Sequence, residues 1–233
     1  MMKWYSEVGL TPAAYWTLAW EQAAQSDSRV SSDAEEESYW QQHAPVYDER
    51  NPLAPYTAEL MGSVIASLRA DDELIEVGPG TGGFTQLLAP HVGKLTVVEP
   101  SAAMYAILAR NWEQSGLAQA VPEAIRTKWE EASGLTCDVL FSANAFYRIR
   151  DMKESLAQMS HAAGRRVYLV QSIGVPFAHP LRAMHGGKQL ERSRAQVICD
   201  ILQEMAISHQ MDTFAVQRKS GAVHNVALIS WDT

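Results

Sequence analysis

From residue 73 onward the sequence alternates short, unbroken apolar runs with stretches of helical period, and this alternation narrows the fold further than any other feature. The runs are Leu74-Ile75-Glu76-Val77, residues 95–98, Val139-Leu140-Phe141 and residues 167–170. A half-exposed strand would alternate apolar and polar residues. These runs are apolar on both faces, which calls for a mostly parallel sheet covered by helices on each side. The spacing predicts helices over about 84–92, 101–114 and 151–163, the last with Met152, Leu156 and Met159 on one face. A longer helix is expected over about 188–206, with Leu190, Val197, Ile198, Ile201 and Met205 as its stripe. The end breaks the rhythm: residues 213–217 and 223–231 flank Lys219-Ser220-Gly221, which leaves no room for a crossover helix. They read as an antiparallel hairpin.

The first quarter of the chain is helical in pattern. Thr11 before Pro12 is an N-cap followed by Pro at the first helical position, and Ala13, Trp16, Trp20 and Ala23 then share a face. Ser32 is placed to cap an acidic helix reaching about His43, and Pro45, Pro52 and Pro55 break the pattern. Leu60, Met61, Val64, Ile65 and Leu68 then form the stripe of a third helix. The division this suggests is a helical lid or extension over residues 1–55 and a main domain over 56–233. Trp4, Trp16, Trp20 and Trp40 crowd the extension, where burial within it competes with capping a pocket or forming a homodimer face.

Composition bounds the function. With 233 residues, 47% of them hydrophobic, the chain can bury a core without disulfides or a structural metal, which excludes disorder and collagen. Cys137 and Cys199 are too few for a disulfide framework and too isolated for a zinc site, so no metal is expected and both read as structural thiols. No run of about 18 apolar residues suggests a membrane span, and the first residues lack a basic start followed by an apolar stretch, so a cytoplasmic location is expected. Of the net charge of −8, all but one unit sits in residues 1–60, which hold three basic residues against ten acidic ones. That segment reads first as a solvated acidic face, and the lack of a basic face argues against a nucleic-acid partner.

The chemistry concentrates in Glu76-Val77-Gly78-Pro79-Gly80-Thr81-Gly82-Gly83, which leaves a strand and enters a helix. Glycine at 78 and 80 permits a tight turn and close backbone approach to a ligand. Nineteen residues after Gly80, Glu99 ends the next strand, where a carboxylate can accept both hydroxyls of a ribose. The pair points to an adenosine-containing cofactor. Gly78, Gly80 and Gly83 also satisfy a dinucleotide pattern, so a nicotinamide oxidoreductase is an alternative. Glu76 favours the other reading, because a carboxylate beside the loop opposes a pyrophosphate and suits a cationic ammonium group.

Leu74 to Thr85 (LIEVGPGTGGFT), Leu95 to Ser101 (LTVVEPS) and Cys137 to Ile149 (CDVLFSANAFYRI) resemble successive motifs of the class I S-adenosylmethionine-dependent methyltransferases. The resemblance covers about residues 40–173. It implies a three-layer Rossmann-like α/β sandwich with a mostly parallel seven-stranded sheet, a C-terminal antiparallel hairpin and added N-terminal helices, with S-adenosylmethionine as cofactor. It further implies that Gly78, Gly80 and Thr81 line the methionine end, with Glu76 near the ammonium group. Glu99 would hold the ribose, flanked by Ser101 and Met104. In Lys128-Trp129-Glu130-Glu131, Glu130 would accept the adenine amino group and Trp129 cover the ring, while Ser142 and Asn144 would close the site at the fourth strand tip. Trp40 to Tyr47 is similar to the segment that many members fold over the cofactor, with Tyr47 pointing inward.

Methyl transfer from a sulfonium needs proximity and orientation, and a base only where the acceptor must lose a proton. Tyr147, His179 and His185 are the candidates, each also readable as a packed or surface residue. Residues 174–182, after the fifth strand, read as acceptor-pocket wall or as a plain connection. Arg148 and Arg150 suit an acidic acceptor or simple solvation. A small-molecule acceptor is expected. A non-catalytic S-adenosylmethionine-binding module remains a rival. So does an RNA or DNA adenine methyltransferase, since Asn144-Ala145-Phe146-Tyr147 resembles the Asn-x-Pro-Tyr motif of ribosomal RNA adenine dimethylases, with Phe146 in place of Pro.

Overall fold

The computed structural model describes residues 2–50, 57–174, 178–217 and 223–233. Four helical segments open the chain: α1 (Met2–Val8), α2 (Pro12–Ser26), α3 (Asp33–His43) and the single turn α4 (Tyr47–Arg50). A π-helical turn, Thr57–Met61, runs into α5 (Gly62–Ile65). The sheet then begins, with β1 (Glu73–Val77), α6 (Gly83–Leu88), β2 (Lys94–Val98), α7 (Ala102–Ser115), β3 (Glu123–Ile125) and β4 (Cys137–Ala143). It continues through α8 (Met152–Ala162), β5 (Ala163–Ile173), β6 (Leu181–His185), β7 (Lys188–Arg192), α9 (Arg194–Glu204), β8 (Gln210–Gln217) and β9 (Val223–Asp232).

Seven strands form one sheet in the order β3-β2-β1-β4-β5-β9-β8. β1 to β5 run parallel, and β9 pairs antiparallel with both β5 and β8. The apolar runs work as their composition requires. In β4, Val139 and Phe141 face one core while Leu140 faces the other, and in β5 Tyr168 and Val170 oppose Val167 and Leu169. One face packs under α5 and α6, through Leu60, Met61, Val64, Phe84 and Leu88. The opposite face packs under α8 and α9, and Tyr5, Tyr15, Trp16 and Ala19 of α1 and α2 join that same core. Cys137 and Cys199 are buried and unpaired, and burial pushes both thiols up to about 12. Among the described residues no helix is long and apolar enough to cross a membrane.

The helix expected over 188–206 is a correction. Residues 188–192 are β7, paired antiparallel with β6 as a separate two-stranded sheet, and the helix begins only at Arg194. Its turn is Gly186-Gly187, with φ of 56° and 74°. Two consecutive left-handed residues match the twist of a two-residue hairpin. Leu190 is buried from a strand, not from a helix stripe. The residues expected in the tip of the β8–β9 hairpin, Lys219-Ser220-Gly221, lie outside the described residues, as do Val175 to Phe177 of the expected pocket wall.

Candidate active site

The chain leaves β1 toward β2 and β3 and then crosses back to β4 on the other side. Loops leaving β1 and β4 therefore diverge, and a crevice opens at their carboxyl ends. Gly78 and Asn144 sit on its two walls. Gly78 has φ +68° and donates its N–H to the Val98 carbonyl at 2.9 Å. A Cβ there would stand 2.5 Å from that of Ala145, so the two loops approach this closely only with glycine at 78. Asn144 is also left-handed, at φ 55°, and its side-chain oxygen accepts the Ser172 N–H at 2.7 Å. Ser142, one turn of the strand earlier, donates its hydroxyl to the Val77 carbonyl at 2.8 Å and locks the two strand tips together.

Two carboxylates lie under the glycine loop. Glu99 accepts the Gly80 N–H at 3.2 Å and the Ser101 N–H at 2.9 Å, while Ser101 caps α7 by accepting the Met104 N–H at 3.1 Å. Burial pushes Glu99 up to about 7, against the pull of the Ser101 and Gly80 amides. Glu76 is only 1% exposed, and its Oε2 has no hydrogen-bond partner. Burial first, and the Glu99 charge further, push it up to about 8. A buried carboxylate oxygen without a partner is costly unless a ligand completes it. The Met104 methyl stands 3.6 Å from where a Cβ at Gly80 would be, beside the loop.

The acidic segment closes over this floor. α3 is capped by Ser32, which accepts the Glu35 N–H at 3.3 Å, and Glu37 accepts the Ala103 N–H at 3.0 Å in the first turn of α7. The other Glu37 oxygen is buried without a partner, and its charge adds to the upward push on Glu99. Glu36 is buried, accepting Arg29 Nε at 3.0 Å and the Tyr147 hydroxyl. Arg29 stacks over the Tyr39 ring, 3.3 Å from its centroid. Partial burial of Asp33 opposes ionisation, but bonds from Arg148 and Lys128 hold its carboxyl below the ordinary value. Tyr47 packs edge-on to Trp40 with centroids 5.7 Å apart, and the next residue, Asp48, accepts the Thr81 hydroxyl at 2.5 Å and the Asn111 amide at 2.8 Å.

A cavity of about 330 Å³ lies at the crevice, lined by Tyr47, Gly78, Gly80, Thr81, Asn144, Tyr147 and His179 among the residues expected from sequence. Glu99, Ser101, Met104 and Ser142 form its supporting layer through the bonds above, with Glu76 buried near Glu99. Trp129 and Glu130 are not brought there: they line a separate depression beside α8, and the Trp129 indole is buried and donates to the Ser155 carbonyl at 3.3 Å. His185 stands at the β6–β7 turn, outside the cavity lining. Arg148 pairs with Asp33, and Arg150 with Glu21 and Asp151. Sequence reasoning missed Asp48, Gln171 and Arg194, which all line the cavity. Asp48 was within reach, as the carboxylate next to Tyr47. Arg194 reads as helix surface in a helix over 188–206, whereas it is the first residue of α9.

The residues fit S-adenosylmethionine. The unpartnered Glu76 oxygen suits an ammonium donor, and the glycine cradle admits no Cβ at Gly78. No curated protein matches the chain. Among solved structures, an N-methyltransferase, NodS from Bradyrhizobium japonicum WM9 in complex with S-adenosylhomocysteine, is 15% identical over 93% of this chain and 98% of its own, with a TM-score of 0.60. DhpI in complex with S-adenosylhomocysteine is 18% identical over 83% and 93%, with a TM-score of 0.55. The magnesium protoporphyrin IX methyltransferase of Synechocystis PCC 6803 with bound S-adenosylmethionine is 15% identical over 82% and 79%, with a TM-score of 0.52. These likenesses show the fold. The family model described as a methyltransferase domain matches residues 46–214, from α4 to β8, and the chain belongs to that family, as a class I S-adenosylmethionine-dependent methyltransferase.

Proposed function

We propose that the chain methylates a small molecule held between Asn144 and His179, with α1 to α4 serving as its cover. The observation that carries this reading is the cavity itself. It starts at Gly78 and Gly80, passes the β4 tip and ends at Ala178, His179 and Arg194. Its far lining, Asn144, Gln171 and His179, offers polar groups that can orient an acceptor. Asp48 lines the cavity, which disfavours a polyanionic strand. The name of the magnesium protoporphyrin IX methyltransferase gives a small acceptor, which supports this reading.

When bound, S-adenosylmethionine supplies a methyl group on a sulfonium, and the thioether that leaves is neutral. The residues then have three tasks. Glu76 and Glu99 fix the methionine and ribose ends, and Gly78 and Gly80 let the backbone close on the donor. Tyr47 and Asp48 shut out water from the α4 side. His179 is the imidazole placed to take a proton from the acceptor. Tyr147 is held otherwise: its hydroxyl donates to Glu36, and burial with that carboxylate pushes its pKa well above the ordinary tyrosine value. Its part is to position the cover. The test is transfer of a labelled methyl group to a panel of small amines, hydroxyl compounds and carboxylates. Turnover on any of them, slowed at least tenfold in kcat by His179→Ala with unchanged S-adenosylhomocysteine affinity, supports the reading. Binding of S-adenosylhomocysteine with no transfer to the panel favours a non-catalytic module.

A further inference from the structure

One cation in the cavity has no use in the fold. Arg194 is the first residue of α9 and lines both the main cavity and the adjoining depression under Gly174 and Pro180. Among the described residues no carboxylate stands within ion-pairing distance of it, and none of the residues left undescribed is acidic. The nearby acids are engaged elsewhere. Glu191 pairs with Arg182 at 2.7 Å, Asp200 with Arg192 at 3.6 Å, and Asp48 is taken by Thr81 and Asn111. The contact that holds the guanidinium is a distant stacking over Trp16, 5.9 Å from the ring centroid.

Burial and the helix end both disfavour the charge of Arg194. Burial lowers its pKa with no opposing charge to restore it. Its place in the first turn of α9 sets it against the positive end of the helix dipole, and Ser193 provides no side-chain cap to the free amides there. A half-buried cation kept without a partner destabilises the apo fold, and such a cost persists where binding needs it. The guanidinium fork matches one oxyanion group.

We infer that Arg194 is the acceptor-binding residue of this cavity and that the acceptor carries an anionic oxygen group, a carboxylate or a phosphate. The inference rests on the proposed reading of the cavity as an acceptor site. Arg194 takes the anion while the atom to be methylated points back toward Gly78, so it fixes orientation as well as affinity.

The test uses the full chain saturated with S-adenosylhomocysteine, whose binding is first confirmed by calorimetry. The Nε–H resonance of Arg194, identified by its loss in Arg194→Lys, is followed during titration with acetate, with inorganic phosphate and with neutral acetamide at constant ionic strength. Acetate or phosphate should shift it saturably, and the tighter of the two names the group, while acetamide leaves it unmoved. In parallel, Arg194→Met should melt a few degrees above the parent when no anion is present, since it removes an unpaired charge; a purely structural arginine would give the opposite sign. Absence of a saturable anion shift, an equal response to acetamide, or a lower melting temperature for Arg194→Met overturns the inference. Failure of S-adenosylhomocysteine to bind would instead overturn the reading of the cavity beneath it.

Discussion

At the scale of single residues, the site depends on positions where no other side chain serves. Gly78 combines a left-handed backbone with a 2.5 Å approach to the Ala145 Cβ. Gly78→Ala should therefore destabilise the chain by about 2 kcal/mol or more, from the backbone penalty and the forced separation of two strand tips; chemical denaturation checks this. Glu76 illustrates the opposite economy. Its carboxyl is raised to about 8, above its ordinary value, so its contribution to stability is full below about pH 4.5 and is lost as pH rises through 8. Glu76→Gln removes that loss. The variant should melt higher than the parent at pH 8, with little difference at pH 4.5, and should bind S-adenosylhomocysteine about 10- to 100-fold more weakly. Both residues were legible in the sequence, because a glycine loop beginning at a strand end and preceded by an acid has few other uses. Trp129 and Glu130 were not placed by the same reasoning. An aromatic beside an acid reads equally as cofactor wall or as core, and here the indole is drawn inward by the Ser155 carbonyl.

Among the elements, the sheet followed from its apolar runs and the acidic helix from its cap and proline breaks. What holds that helix down did not. Glu36 meets Tyr147 across 111 residues of sequence, and no local pattern announces such a bond. The tether makes a prediction. Glu36→Ala strands the half-buried Arg29 and removes the acceptor for Tyr147, so it should cost about 3 kcal/mol and speed amide exchange in α3 ahead of the β1–β5 sheet. Hydrogen exchange read by mass spectrometry separates this local loosening from global loss. The β6–β7 hairpin was missed for a different reason. Leu190 falls by chance on the stripe of α9, and that coincidence outweighed Gly186-Gly187, the turn signal that defines the hairpin. The same slip concealed Arg194, which reads as helix surface if the helix begins at 188.

For the whole molecule, the net charge of −8 has a structural account. Asp33, Glu36, Glu37 and Asp48 are not a loose acidic surface but the bonds by which α3 and α4 grip Arg148, Lys128, Arg29, α7 and Thr81. α1 and α2 share one core with the sheet through Tyr5, Tyr15 and Trp16. Glu76 and Glu99, both raised above their ordinary values, set the pH response of the apo protein. Each lowers stability by up to about 1.4 kcal/mol per pH unit between its ordinary and raised pKa, so the melting temperature should fall as pH climbs from about 5 to 8, and S-adenosylhomocysteine should offset that fall. Thermal melts across pH, with and without the ligand, check this.

Calorimetric titration with S-adenosylhomocysteine at pH 7, run in two buffers of different ionisation enthalpy, reports whether the ligand's ammonium group meets Glu76. A cationic ammonium group seated against Glu76 must ionise that carboxyl, so one-site binding should come with net proton release, and that release should be lost in Glu76→Gln. No binding at high micromolar ligand, or binding that is indifferent to both Glu76→Gln and Glu99→Ala, would contradict it.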